Sequence, residues 1–135
     1  MVRGTPRGFT LIEVMIVLAV IAVLAAVIIP NYVRSRGLGQ ASACKSNLRN
    51  LASAIESYML DNAGRVPQVL ADLPPLHINV IPTCPGGAAN TCSGGYESSQ
   101  NPAAYTIACQ GSNHAGAGIP PNLPQFASSQ GLVGP

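Results

Sequence analysis

Apolar side chains run from Phe9 to Ile29 with only two interruptions, Thr10 and Glu13. At about 1.5 Å per helical residue such a run spans roughly 30 Å, the hydrocarbon thickness of a bilayer. No face of it is reserved for water, which predicts a helix surrounded by lipid or by other helices. Alanines at 19, 22, 25 and 26 let neighbouring helices approach closely, although no Gly-x-x-x-Gly pair occurs. Pro30 removes a backbone donor and predicts a bend or local melting. Gly37 and Gly39 loosen the chain again.

A second, amphipathic helix pattern follows from about Gln40 to Asn62. Cys44, Leu48, Leu51, Ile55, Tyr58 and Met59 recur at spacings of three and four and form one stripe, with Lys45, Arg49, Asn50, Glu56 and Ser57 mostly opposite. Asn62–Ala63–Gly64 reads as its stop. Beyond it Gly, Pro, Ser, Asn and Ala dominate. Val69–Leu73 reads as one helical turn. Leu76–Ile81 and Ala104–Cys109 alternate as strands do, and Pro85–Gly87 and Ser93–Gly95 read as turns. The expected fold is α+β: a long N-terminal helix, transmembrane and then amphipathic, packed on a small antiparallel ectodomain of two to four strands. The expected boundaries are a leader at 1–8, a membrane or core helix at 9–29, its continuation at 30–63 and a loop-rich β ectodomain at 64–135. Alone the last segment would bury a thin core; the helix stripe supplies its missing side.

With 135 residues the chain holds one small domain and an anchor. Charged residues make up 9 %, low for a soluble globule, and the net charge of +2 comes from scattered basic residues. No basic patch with interleaved aromatics marks a nucleic-acid partner. Arg3 and Arg7 ahead of the run favour a cytoplasmic N-terminus, opposed by Arg34 and Arg36 beyond it. Ala41–Ser42–Ala43 and Ala43–Cys44 have the letters of signal-peptidase and lipoprotein cuts but lie far past the apolar run.

Glu13 is the costly residue. A carboxylate within an apolar span costs several kcal/mol unless it sits at the interface or meets a cation. Arg7–Gly8–Phe9–Thr10–Leu11–Ile12–Glu13 and the run through Ile29–Pro30–Asn31–Tyr32 resemble the processing site of type IV prepilins and pseudopilins. That resemblance covers residues 3–32; Ala54–Tyr58 and Pro82–Pro85 resemble some pilin-like proteins less specifically. It implies cleavage between Gly8 and Phe9 by a prepilin peptidase, N-methylation of Phe9, a helix bend at Pro30, and pairing of Glu13 with the N-terminal amine of a neighbouring subunit. Such attraction strengthens as the surroundings lose polarity. The plain alternative is a Glu13 solvated at the headgroup boundary.

Cys44, Cys84, Cys92 and Cys109 all lie beyond the apolar run, where an oxidising compartment favours one or two disulfides. Three full pairings exist and the residues do not choose among them. Seven residues separate Cys84 from Cys92, unlike a zinc knuckle, and His77 or His114 would join a metal site only through the fold. No metal or other cofactor is expected. Cys109 and His114 are close in sequence but lack an orienting acid, so no catalytic centre is expected. Pseudopilins of type II secretion often bind calcium near the C-terminal end; here no carboxylate follows Glu97.

The chain is therefore read as a non-enzymatic structural subunit of a type IV pilus-like filament. The expected partners are further copies and related pilins, the prepilin peptidase and methyltransferase, a pilus or secretion assembly platform, and membrane lipid before assembly. The expected location is a bacterial cytoplasmic membrane, crossed once with the N-terminus inside, and then an extracellular or periplasmic filament. The alternatives are a type II secretion pseudopilin and an uncut, membrane-tethered binding module.

Overall fold

A computed structural model describes residues 8–87 and 92–134, apart from the side chains of residues 92 and 93. Of the leader expected at 1–8, all but Gly8 lies outside the described residues. The chain divides into two compact units, Met1–Val33 and Arg34–Pro135. Helix α1, Leu11–Asp61, contributes to both.

In the first unit every large apolar side chain from Phe9 to Val33 is exposed. The apolar window of the helix has a mean hydropathy of 3.2 and none of it is buried, so it has the length and composition to cross a membrane. The local melting expected at Pro30 does not occur; the helix is unbroken through Pro30, Gly37 and Gly39. Pro30 removes one N–H from the ladder, but the turns on either side are intact. Asn31 Nδ2 adds a bond to the Val27 carbonyl at 3.2 Å.

The second unit is built on the amphipathic stripe. Cys44, Leu48, Leu51 and Ile55 are fully buried, and Tyr58 and Met59 close the stripe half-buried. Arg49, Asn50, Glu56 and Ser57 face outward, as their spacing requires, and Lys45 is half-buried. The helix ends where Asn62–Ala63–Gly64 predicts. Ala63 and Gly64 both take positive φ, and the Gly64 N–H reaches back to the Met59 carbonyl at 2.8 Å.

Four antiparallel strands form one sheet in the order β1 (Tyr96–Gln100), β2 (Ala103–Ala108), β3 (Gln125–Ala127), β4 (Gly131–Val133). Tyr96 pairs with Ile107, and Ile107 with Phe126. Tyr105 and Ile107 are buried on the face that meets Leu48, Leu51 and Ile55. Val66, Leu70 and Leu73 complete this core, with Leu70–Asp72 as the expected helical turn. Gln100 clamps the backbone of Val66 from both ends of its amide, at 3.2 and 2.6 Å, and the Tyr96 hydroxyl donates to the Pro67 carbonyl at 2.6 Å. These bonds tie the edge strand to the segment leaving the helix.

The strand expected at Leu76–Ile81 is absent; these residues form turns and bends. Pro74, Pro75 and Pro82 flank the segment and cannot donate to a ladder, while the His77 N–H closes a turn on the Leu73 carbonyl at 3.0 Å. Its alternation is not kept either: Ile78 packs on the core with Ile81, while Leu76 and Val80, which a strand would place beside Ile78, face outward.

Candidate functional site

Two constellations carry chemistry. The first lies at the start of the apolar helix. Gly8 and Phe9 are exposed ahead of α1, and a Cβ on Gly8 would meet nothing within 4 Å. Thr10 and Glu13 bond reciprocally. The Thr10 N–H and hydroxyl donate to Glu13 Oε2 at 3.0 and 2.9 Å, and the Glu13 N–H donates to Thr10 Oγ1 at 3.3 Å. This is a capping box, which satisfies donors that the helix start leaves orphaned. Its signature, a threonine followed three residues later by a glutamate, stands in the sequence. Glu13 thus has a partner within its own chain. Among the described residues no hydrogen bond falls on its second oxygen, Oε1, which has acceptor capacity for another donor.

The second constellation lies wholly within the Arg34–Pro135 unit. Cys44 comes from α1, Cys84 from the turn before Pro85, Cys109 from the end of β2, and His114 from the connection between β2 and β3. All four are buried, and their ligand atoms lie within 4.8 Å of one another. Cys84 and Cys109 place their sulfurs 3.0 Å apart, as thiols and not as a bridge. His114 Nε2 lies 3.4 Å from each of these two sulfurs. The possible disulfide set thus has three members brought together; the fourth, Cys92, has its side chain outside the described residues.

The surroundings hold this arrangement. A Cβ on Gly86 would come within 2.5 Å of the Asn113 carbonyl oxygen and 3.1 Å of the imidazole, so only glycine lets this turn lie against His114. On the other side, Gly37 lets the short helical turn Ala115–Ala117 approach α1; its Cβ would stand 3.0 Å from the Ala117 nitrogen. Among the described residues His114 Nδ1 is buried without a hydrogen-bond partner, and the ring's hydrogen bonding to them is made by Nε2, toward the sulfurs. Hydrogen bonding from the Cys44 thiol, opposed by burial and aided by Cys84, Asn113 and His114, holds the Cys109 thiol down to about 5. Burial, followed by the bond to Cys109, pushes the Cys84 thiol up. His77, the other histidine, is elsewhere: its ring meets Tyr58 edge-on, with Ser57 Oγ at 3.3 Å and Asp61 at 3.8 Å from Nδ1.

A long apolar N-terminal helix with a small antiparallel sheet defines the α+β class of the pilins. Residues 5–29 match the family described as the prokaryotic N-terminal methylation motif. The chain is 48 % identical over 52 residues to the type IV major pilin protein PilA of Myxococcus xanthus, covering 38 % of this chain and 24 % of that one. It is 35 % identical over 61 residues to the type II secretion system core protein G of Klebsiella michiganensis (45 % and 43 %). It is 43 % identical over 56 residues to the type IV wide pilus major component PilA4 of Thermus thermophilus (42 % and 43 %). The chain therefore spans less than half the length of these curated relatives. No solved structure matches it. The chain carries the N-terminal methylation motif and is similar over part of its length to type IV pilins and to type II secretion core proteins.

Proposed function

We propose that this chain is a structural subunit of a type IV pilus-like filament. It is cut between Gly8 and Phe9 by a prepilin peptidase, methylated on Phe9, and held in the cytoplasmic membrane by α1 until it is extracted into the filament. The observation that carries this reading is the unbroken exposed apolar surface of α1 with one carboxylate near its start. In water that surface would be unfavourable; lipid first, and neighbouring copies afterwards, remove it from solvent. Once Phe9 is the first residue, its amine is a cation four positions from Glu13. A neighbouring subunit's amine approaching Glu13 Oε1 would neutralise both charges in a site of low polarity and set the axial register. The ectodomain presents β1, polar and mostly exposed, as part of its outer face. The motor, the processing enzyme and the assembly platform are separate proteins, and the chain itself has no enzymatic role.

The similarity to type II secretion core proteins favours one second reading, a pseudopilin whose filament stays short. N-terminal mass spectrometry of sheared extracellular material and of membranes separates the two. A chain starting at methylated Phe9 in the sheared fraction supports the pilus. The same chain confined to membranes supports the pseudopilin. A chain that retains Arg7–Gly8 and stays in membranes overturns both and leaves a tethered module.

A further inference from the structure

Three thiols and an imidazole converge in the ectodomain from four separate parts of the chain. Each is almost wholly removed from water: Cys44 is 0 %, Cys84 2 %, Cys109 1 % and His114 3 % exposed. Buried polar groups are stable only when they are satisfied. A single disulfide between Cys84 and Cys109 would take up two sulfurs and leave His114 Nε2 facing a bond that offers it little. A cation bound by lone pairs from all four would satisfy the whole set.

The geometry fits such a cation. A tetrahedral zinc with bonds of about 2.3 Å to sulfur and about 2.0 Å to nitrogen has ligand–ligand edges of roughly 3.5 to 3.8 Å. Two of the three edges from His114 Nε2, to Cys84 and Cys109, are 3.4 Å each, and the remaining separations lie within 4.8 Å, so the set would draw in by up to about one ångström around the ion. The Cys84–Cys109 separation of 3.0 Å would open by several tenths of an ångström to admit the ion. Three sulfurs with one imidazole form a set that soft, borderline divalent metals prefer over calcium or magnesium. The Asn113 amide donates to the Cys109 sulfur at 3.8 Å, the kind of outer contact that steadies a metal-bound thiolate.

We propose that Cys44, Cys84, Cys109 and His114 form a structural tetrahedral site for a thiophilic divalent cation, zinc, that fastens the loops of the ectodomain to helix α1. Binding breaks no carbon bond and changes no oxidation state. The three sulfurs donate as thiolates and His114 as neutral imidazole through Nε2, and a fully protonated set releases three protons to solvent. The ligands come from distant points in the sequence, so the ion closes long loops and acts mainly against the unfolded chain. The site belongs to the ectodomain and does not depend on filament assembly.

The test uses the full chain, extracted from membranes in detergent without chelator or reductant. The expected result is close to one zinc per chain. Exchange for cobalt should give the ligand-field bands of a tetrahedral ion and a thiolate-to-metal charge-transfer band. Cys109→Ser should lower the metal content at least tenfold. His114→Cys should keep one ion and strengthen the charge-transfer band, and His114→Ala should not. If the serine variant fails to fold, the cobalt spectrum of the unaltered chain still decides. Peptide mapping that finds Cys84 joined to Cys109, with no stoichiometric zinc, would overturn the site in favour of a disulfide. Zinc retained when Cys44, Cys84 and Cys109 are all changed to serine would overturn it as binding elsewhere.

Discussion

Glu13 takes both donors of Thr10, the backbone N–H and the hydroxyl, on the single oxygen Oε2. On the proposed function the residue has two separable duties, capping its own helix and offering a negative charge to another chain. Glutamine keeps the first, because its side-chain oxygen also completes a capping box, and loses the second. Glu13→Gln is therefore expected to insert and be processed normally yet to yield few filaments, as is Glu13→Ala. Thr10→Val removes the hydroxyl from the cap at a cost of about 1 kcal/mol to the helix start and should leave filament yield near normal. Filament counts in sheared fractions, normalised to processed chain in membranes, read the difference. Normal yield from Glu13→Gln would remove the charge from the assembly account.

Gly37 and Gly39 lie two residues apart on α1 but should respond oppositely to alanine. At Gly39 nothing stands within 4 Å of an added Cβ, so the change should raise stability by up to about 1 kcal/mol through helix propensity. At Gly37 the methyl would press on the backbone of Gly116 and Ala117, at 3.1 and 3.0 Å. That backbone is fixed by the bond from Ala117 N–H to the His114 carbonyl at 2.9 Å, so it cannot yield cheaply. Overpacking costs about 1–3 kcal/mol and should outweigh the propensity gain. Thermal melts of the two variants in detergent should move in opposite directions.

Tyr105 is buried against the helix, its hydroxyl 3.5 Å from both the Ala52 carbonyl and Glu56 Oε1. Burial, and next the Glu56 charge, pushes its hydroxyl up to about 12 from 10, with Tyr96 adding to the repulsion. A raised value means the folded state holds the proton more tightly. The contribution is complete below about pH 10 and is lost as pH rises toward about 12, on the order of 2 kcal/mol in all. Tyr105→Phe should flatten the alkaline fall in melting temperature between those limits. An unchanged slope would show that Tyr105 ionises freely in the folded chain.

Leu51 and Leu60 share α1, but Leu51 is 0 % exposed and Leu60 85 %. Leu51→Ala should cost 2–5 kcal/mol, by lost transfer energy and the cavity left against Ile107 and Tyr105, on the general scale of such truncations at roughly 2–5 kcal/mol. Leu60→Ala should stay within about 0.5 kcal/mol. Denaturant titration of the full chain in detergent distinguishes them.

The helix was readable because its signals are local and repeated. The stripe from Cys44 to Met59 names the buried face in advance, and Asn62–Gly64 names its end. Leu76–Ile81 misled because a short apolar–polar alternation arises without pairing; Ile78 and Ile81 turn inward from turns and bends, Leu76 and Val80 stay outside, and the neighbouring prolines prevent a ladder. Strands β3 and β4 are too short for a period to show, and β1 is almost wholly polar. The Cys44–Cys84–Cys109–His114 cluster was hidden for a different reason. Only Cys109 and His114 are close in sequence, and no spacing rule reaches from a helix to two distant loops. The capping box at Thr10 and Glu13 was legible, but a carboxylate in an apolar run draws the argument to its charge first.

Counted from its N-terminal end, α1 first meets the rest of the ectodomain at Gly37, Ala41 and Cys44, ahead of the aliphatic contacts at Leu48, Leu51 and Ile55. In the proposed filament, tension entering along the helix would be borne in sequence. The backbone contact at Gly37 and the cluster at Cys44 would take the load before the hydrophobic core does. Aliphatic contacts are weak singly and strong only together; a ligated ion at the first bearing point would add one localised link ahead of that distributed hold.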